Sequence, residues 1–364
     1  MRILQIGMSP LLGGVESFII NYMERLKKYD IFFDFISMYD RIAYEDQIIK
    51  AGGKIYHVSH VKRYPVSFYK QLSEISKKYR IVHINMLSAA NSLPVYACYR
   101  SKVKNILIHS HNSKTERIDR YILHYINKCM MDRLPLKRLA CSDVAAKWMF
   151  SDKIIKNKDY KIIHNAINFE KFRYHPEFRA QIREEFGISE NTLLIGSIGH
   201  LTMQKNPFFL ISLFKEITKL RDNVKLILVG DGDLTDKIKE SIRKCGIEDK
   251  VVFAGIRYDV NKFYSAIDVC CMTSLYEGLS FTAIEAQASG VQCFFSSGMS
   301  RETLITPKTE FLNLNNPKEW AMKIVKSSCN REKEAEMFVK SRGFDIELEA
   351  ERMAAYYKSL YKGV

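Results

Sequence analysis

Short apolar runs alternating with amphipathic stretches set the rhythm of this chain. Ile3-Leu4-Gln5-Ile6-Gly7 reads as a first strand, followed by a helical pattern through Phe18, Ile19, Tyr22, Met23 and Leu26. Further strand-like runs fall at 31–38, 54–58, 81–85, 105–112, 138–142 and 161–168, with helical periodicity over 45–51, 68–78, 92–100 and 143–150. The pattern restarts at 193–199 and continues through strands at 224–230, 251–255, 266–272 and 291–295, with helices over 208–219 and 260–266 and from about Phe281. Strands alternating with helices predict parallel α/β sheets, which bind ligands at the carboxyl ends of their strands. A chain of 364 residues predicts two domains, here 1–168 and 169–345. The tail, 346–364, carries Met353, Tyr356, Tyr357, Leu360 and Tyr361 at helical spacing.

Composition narrows the class. With 47% hydrophobic and 27% charged residues the chain reads as a soluble globular protein. It has no apolar run long enough to span a bilayer, and its N-terminus lacks the length and cleavage site of a signal peptide. The eight cysteines are scattered without a C-x-x-C pair, as expected for a reduced cytoplasmic enzyme with no zinc site. The net charge of +15 asks for an anionic partner. Arg100, Lys102, Lys104, Lys114, Arg117, Arg120, Lys128, Arg133, Lys137 and Arg138 outnumber Glu116, Asp119 and Asp132 between 100 and 139. With Tyr121, Tyr125 and Trp148 nearby, this stretch is expected to face an anionic membrane surface, the alternative being an ordinary solvated basic face. No nucleic-acid motif accompanies the charge, so no nucleic-acid partner is expected.

The chemistry concentrates in residues 273–290. Glu277 and Glu285 flank Gly278-Leu279-Ser280, which leads into the helix beginning near Phe281. A helix N-terminus offers unpaired N–H groups and a positive dipole end, and a loop of small residues lets an anion approach them. Carboxylates accept hydrogen bonds from hydroxyls, so the pair suits a ligand with phosphate and polyol parts, such as a nucleotide sugar. By spacing alone the two residues also fit a solvated loop acid and a surface helix acid. Other candidate positions are the loop with Gly13 and Gly14, the strand tip His109-Ser110-His111-Asn112, and the loop from His200 to Pro207. Asp231-Gly232-Asp233 reads as turn chemistry and not as a metal motif.

Ser274, Glu277, Gly278, Glu285, Ala286 and Gly290 resemble the signature of the retaining GT-B glycosyltransferases of family 4. The resemblance extends to Gly13-Gly14, to His111, to the Asn165-Ala166-Ile167 turn and to Lys205. It implies α/β architecture of the GT-B type: two Rossmann-like domains facing an interdomain cleft, with the C-terminal helix crossing back to the first domain. It further implies a nucleotide-diphosphate sugar donor held mainly by the second domain. Glu285 would hold the ribose, amides of Gly278, Leu279, Ser280, Phe281 and Thr282 with Lys205 the diphosphate, and Glu277 the sugar hydroxyls. Gly255, Ile256 and Arg257 would lie near the base, His111 near the transferred sugar, and Gly13 and Gly14 near the acceptor. No metal and no cofactor are expected. The acceptor implied is a glycan or lipid-linked sugar of surface polysaccharide synthesis, at the inner face of the cell membrane. One departure stands out: His200 occupies the place of the family's Arg, and a neutral imidazole supplies less positive charge than a guanidinium. A non-catalytic partner subunit and a nucleotide-sugar epimerase of the same architecture are the alternative readings.

Overall fold

The computed structural model describes residues 1–114 and 118–363. Glu116 and Arg117 of the basic stretch therefore lie outside the described residues. The chain forms two compact units, one of Met1–Ala166 with Asp345–Val364, the other of Ile167–Phe344.

In the first unit the strands are β1 (Arg2–Ile6), β2 (Phe32–Ser37), β3 (Ile55–His57), β4 (Ile81–Met86), β5 (Asn105–Ser110), β6 (Lys137–Ala140) and β7 (Lys161–Ile162). They make one parallel sheet in the order β3-β2-β1-β4-β5-β6-β7. All residues of β4 and β5 are buried, as expected of central strands covered on both faces. The C-terminal helix Ile346–Lys362 belongs to this unit. Asp345 caps its start by accepting from the Glu347 and Leu348 amides, and Arg25 and Lys28 pair with Glu347. Its buried face inserts Met353, Tyr357 and Leu360, and Tyr357 reaches the sheet itself.

The second unit repeats the architecture with β8 (Leu193–Ile198), β9 (Val224–Val229), β10 (Val251–Gly255), β11 (Val269–Met272), β12 (Gln292–Ser296) and β13 (Thr309–Leu312). The order is β10-β9-β8-β11-β12-β13, again parallel. The order of successive strands reverses across the parallel β8–β11 pair: the chain leaves β8 toward β9 on one side and β11 toward β12 on the other. One side of the sheet is filled by Leu210, Phe214 and Ile217 of the helix Pro207–Leu220 and by Trp320.

Two local features differ from the sequence reading. A helix spans Ile118–Met131 where the sequence showed only basic charge, and two of those charges are not surface charges at all. Lys128 is buried and donates to the Lys147 and Trp148 carbonyls, while Arg138 is buried against Asp159 and the Asp132 carbonyl. His109 and Ser110 are likewise fully buried, so they belong to the sheet and not to an open tip.

A buried ion pair staples the second unit. Asp268 accepts from Arg183 at 2.7 Å, from Arg179 at 2.9 Å and from the Leu194 amide at 2.8 Å. Removing its carboxylate leaves the Arg183 guanidinium, 2% exposed, without its counter-charge. Asp268→Ala is expected to lower stability by about 3–5 kcal/mol. Chemical denaturation reads this as a lower midpoint at unchanged slope; a loss below about 1 kcal/mol would contradict it.

Candidate functional site

The loops leaving β8 and β11 are tied into one structure. Leu275 N–H donates to the Gln204 carbonyl at 2.8 Å, and Gln204 Nε2 to the Tyr276 carbonyl at 3.1 Å. Thr273 Oγ1 donates to the carbonyls of Lys205 at 3.0 Å and Asn206 at 3.1 Å. Close backbone approach is part of the design. Gly230 has φ +129°, and a Cβ there would sit 2.2 Å from the Gly199 carbonyl oxygen, so no other residue fits where the β8 and β9 loops touch.

Within this arrangement Lys205 Nζ and the Glu277 carboxylate form an ion pair, and Ser274 Oγ donates to the same carboxylate at 3.1 Å. The Glu277 side chain is 10% exposed and that of Lys205 25%. The Glu277 backbone is held as well: its N–H reaches the Gly298 carbonyl and its carbonyl accepts from Ser300. The helix Phe281–Ala288 begins four residues on, and its N-cap Ser280 makes no side-chain capping bond. Its first-turn amides therefore lack a side-chain acceptor from the cap. Gln287 pins the helix from below, donating to the Thr303 carbonyl and accepting from the Ile305 and Thr306 amides and from Thr309 Oγ1. A small pocket is lined by Ser197, Gly199, His200, Lys205, Thr273 and Ser274.

Glu285 stands one turn inside the helix. Tyr264 Oη donates to its Oε2 at 2.8 Å, and Tyr264 in turn accepts from Thr282. Burial pushes the Glu285 carboxyl up to about 7, opposed by the Tyr264 hydrogen bond and the Lys171 charge. Tyr264 and Thr282 thus link the start of the helix to its acid, a connection invisible in the sequence because Tyr264 looks like an ordinary core aromatic. Gly255, with φ +66°, accepts from the Gly230 amide at 2.8 Å, which places residues 255–257 at the same end of the sheet. Ile256 is exposed there. The Arg257 side chain pairs with Glu185 and Asp259 and lies over the Phe263 ring. His200 is exposed in the pocket loop.

The first unit brings other candidates together. Gly13 caps the helix Gly14–Leu26, and Glu16 folds back to accept from the Ser9 amide at 2.9 Å. The sequence reading missed Glu16, which is 5% exposed and puts a carboxylate at this helix start. His111 belongs to a hydrogen-bonded string. Asn85 Nδ2 donates to the Ile6 carbonyl and to Gln5 Oε1, which turns Asn85 Oδ1 toward His111 Nε2 at 2.9 Å. His111 Nε2 must then carry its proton, and Nδ1 is left as an acceptor with no partner among the described residues. Gln5 donates to the Tyr357 hydroxyl, Tyr357 sits 2.6 Å from His83 Nδ1, and His83 Nε2 lies 3.2 Å from His109 Nδ1. Burial drives His83 and His111 down to about 3.

Residues 178–342 match the family model described as glycosyl transferases group 1. EpsF of Bacillus subtilis (strain 168) is 25% identical over 319 residues, covering 83% of this chain and 80% of its own. A UDP-Gal:alpha-D-GlcNAc-diphosphoundecaprenol alpha-1,3-galactosyltransferase of Escherichia coli is 24% identical over 335 residues, covering 85% and 82%. The crystal structure of HepE from Anabaena in complex with UDP-glucose superposes with a TM-score of 0.83 at 17% identity, covering 99% of this chain and all of that one.

The fold is that of the GT-B glycosyltransferases. The family match and the relatives support glycosyl transfer as the activity. The signature segment of this GT-B chain lies inside the matched residues, and so do Lys205, His200 and Tyr264.

The titration of these groups gives opposite pH slopes. His83 and His111 take up protons in the unfolded chain below about 6.5 but resist doing so when folded, so the first unit loses stability as pH falls from there toward 3. Glu285 keeps its proton when folded between its unfolded value of 4.5 and about 7, so its contribution to stability falls as pH rises through that window. Glu285→Gln is therefore expected to stabilise the protein by about 1–3 kcal/mol at pH 8 and by clearly less near pH 5. Denaturation midpoints at the two pH values test this; an equal gain at both would place the effect in packing and not in charge.

Proposed function

We propose that the chain is a retaining glycosyltransferase of family 4 that moves a sugar from a nucleotide-diphosphate donor to a lipid-linked glycan acceptor. The observation that carries this reading is the joining of Lys205, Glu277 and the start of the helix Phe281–Ala288 by the two loops at the β8–β11 switch point. A cation, a carboxylate and side-chain-uncapped amides so arranged suit a diphosphate bearing a sugar. Glu285, set by Tyr264, would accept from the ribose hydroxyls, and the residue 255–257 backbone would border the base. His111, with its accepting Nδ1, and the Gly13-Gly14 loop would serve the sugar and the acceptor.

In this reading the acceptor hydroxyl attacks the anomeric carbon from the face the diphosphate leaves. The C–O bond to the diphosphate breaks, and the hydroxyl proton passes to a departing phosphate oxygen. No side chain acts as base and no metal is invoked. Catalysis then rests on position and on stabilising the leaving diphosphate, with one such contact contributing about 2–4 kcal/mol. The lipid-linked acceptor is supported by the diphosphoundecaprenol acceptor in the name of the E. coli relative. The exposed basic residues of the first unit support an anionic membrane surface as the place of work. No helix among the described residues is long and apolar enough to cross a membrane.

Nucleoside diphosphates screened by thermal shift test the reading. One base series at 100 times its dissociation constant should add about 2.7 kcal/mol of stability, and Glu285→Ala should abolish the gain. Absence of stabilisation by any nucleotide would favour the partner-subunit alternative, in which His200 in place of Arg marks lost donor affinity.

A further inference from the structure

The pocket at the carboxyl end of β8 is poor in positive charge, and most of its donors are already used. The Gly199 amide donates to the Val229 carbonyl at 2.9 Å and the Leu201 amide to the Asp231 carbonyl at 3.0 Å. The Thr273 hydroxyl donates to the Lys205 and Asn206 carbonyls, and the Ser274 hydroxyl to Glu277. Lys205 folds back along its own loop. A Cβ at Gly199 would lie 3.6 Å from Lys205 Cε and 3.9 Å from its Nζ, so the ammonium stands over the residue next to His200. Its charge, however, is offset by Glu277. His200 and Lys205 are the ionisable residues that line the pocket. With Lys205 paired, the sign of the lining depends on the exposed imidazole of His200.

We infer that His200 takes up a proton when a diphosphate enters this pocket, so that the anion is held by an imidazolium and binds more tightly as pH falls. The inference rests on the reading above that the pocket receives the donor's diphosphate. Imidazole gains its charge within the pH range 5–8, and a nearby anion favours the charged form. The N–H bond formed draws its proton from the buffer, and the proton returns there when the ligand leaves. Linkage fixes the sign: a group that binds its proton more tightly in the complex strengthens the complex at low pH, and the gain is lost as pH rises through its value in the complex. The elements packed against the loop add no second lining cation. The turn after β9 brings Asp231 and Asp233, with Lys239 acting on Asp231, and the loop after β11 brings Tyr276 and Glu277. Asp231 is engaged in its own turn, accepting from the Gly232 amide at 2.8 Å and from Thr235. Asp233 is exposed, and the helix Pro207–Leu220 carries no charge before Lys215. Glu285, raised by burial to about 7, titrates in the same range but does not line the pocket.

Inorganic pyrophosphate is the probe, because it carries the diphosphate and has no ribose to engage Glu285. Calorimetry at physiological salt would give its dissociation constant at about pH 6 and about pH 8.5, on either side of the imidazole range. The proteins are the native chain, His200→Gln and His200→Arg, with His200→Asn as a second neutral variant should His200→Gln fail to fold. Comparing variants at one pH cancels the titration of the ligand itself. The native chain should bind about 10-fold more tightly than His200→Gln at the lower pH and within about 2-fold of it at the higher, tenfold being the effect of one unit of raised proton affinity. His200→Arg should keep the same advantage over His200→Gln at both. Binding to the native chain in HEPES and in Tris, whose ionisation enthalpies differ, should report a proton uptake that both variants lack. A native-to-Gln ratio that does not change with pH would overturn the inference, and so would no pyrophosphate binding at the lower pH. Thermal shift with nucleoside diphosphates on the same samples keeps the two readings apart. Stabilisation that depends on Glu285, together with a flat pyrophosphate ratio, would leave the transferase reading standing and remove this one.

Discussion

The second unit is organised by one topological constraint, the adjacency of β8 and β11 in a parallel sheet whose chain turns opposite ways from them. Loops leaving such a pair diverge and open a crevice at the carboxyl ends of the strands. Here they are re-joined by backbone and side-chain hydrogen bonds between 204–206 and 273–276. Lys205 and Glu277 become neighbours although 72 positions separate them in the chain. The close approach at Gly230 and the Gln287 anchor under the helix Phe281–Ala288 both serve to keep these loops in place.

Charge in both units is arranged to be balanced before any ligand arrives. Lys205 is paired with Glu277, Glu285 is raised by burial and held by Tyr264, and His83, His109 and His111 of the first unit are driven toward the neutral form. A diphosphate meeting the Lys205–Glu277 pair would have to compete with a carboxylate already present. That competition gives Glu277 two opposed effects, favourable to a sugar hydroxyl and unfavourable to a phosphate.

Much of the fold was legible in the sequence because periodicity alone separates buried parallel strands from amphipathic helices. The signature was legible because Glu277, Gly278, Glu285 and Gly290 keep fixed spacing on contiguous residues. What stayed hidden depends on long-range partners. Tyr264, Tyr357 and Asn85 are ordinary core positions until folding sets them beside Glu285, His83 and His111. Lys128 and Arg138 counted as surface charge until their partners, carbonyls and Asp159, showed them to be buried anchors. The Arg257 side chain pairs with Glu185, 72 positions away in the chain, a partner the sequence does not show either. The helix Ile118–Met131 stayed hidden because its buried side carries His124 and Lys128, whose partners at Ala89, Lys147 and Trp148 only the fold brings near.

The central claim is that Lys205 is a diphosphate ligand held in reserve by Glu277. Calorimetric titration of a nucleoside diphosphate, without sugar, into the native protein and Glu277→Gln tests it most directly. Freed from its carboxylate, Lys205 should bind the diphosphate about 5-fold more tightly, the equivalent of roughly 1 kcal/mol for a partly exposed pair. Weaker binding by Glu277→Gln would mean that the pair is a structural staple between two loops, and the assignment of Lys205 to the donor would fall.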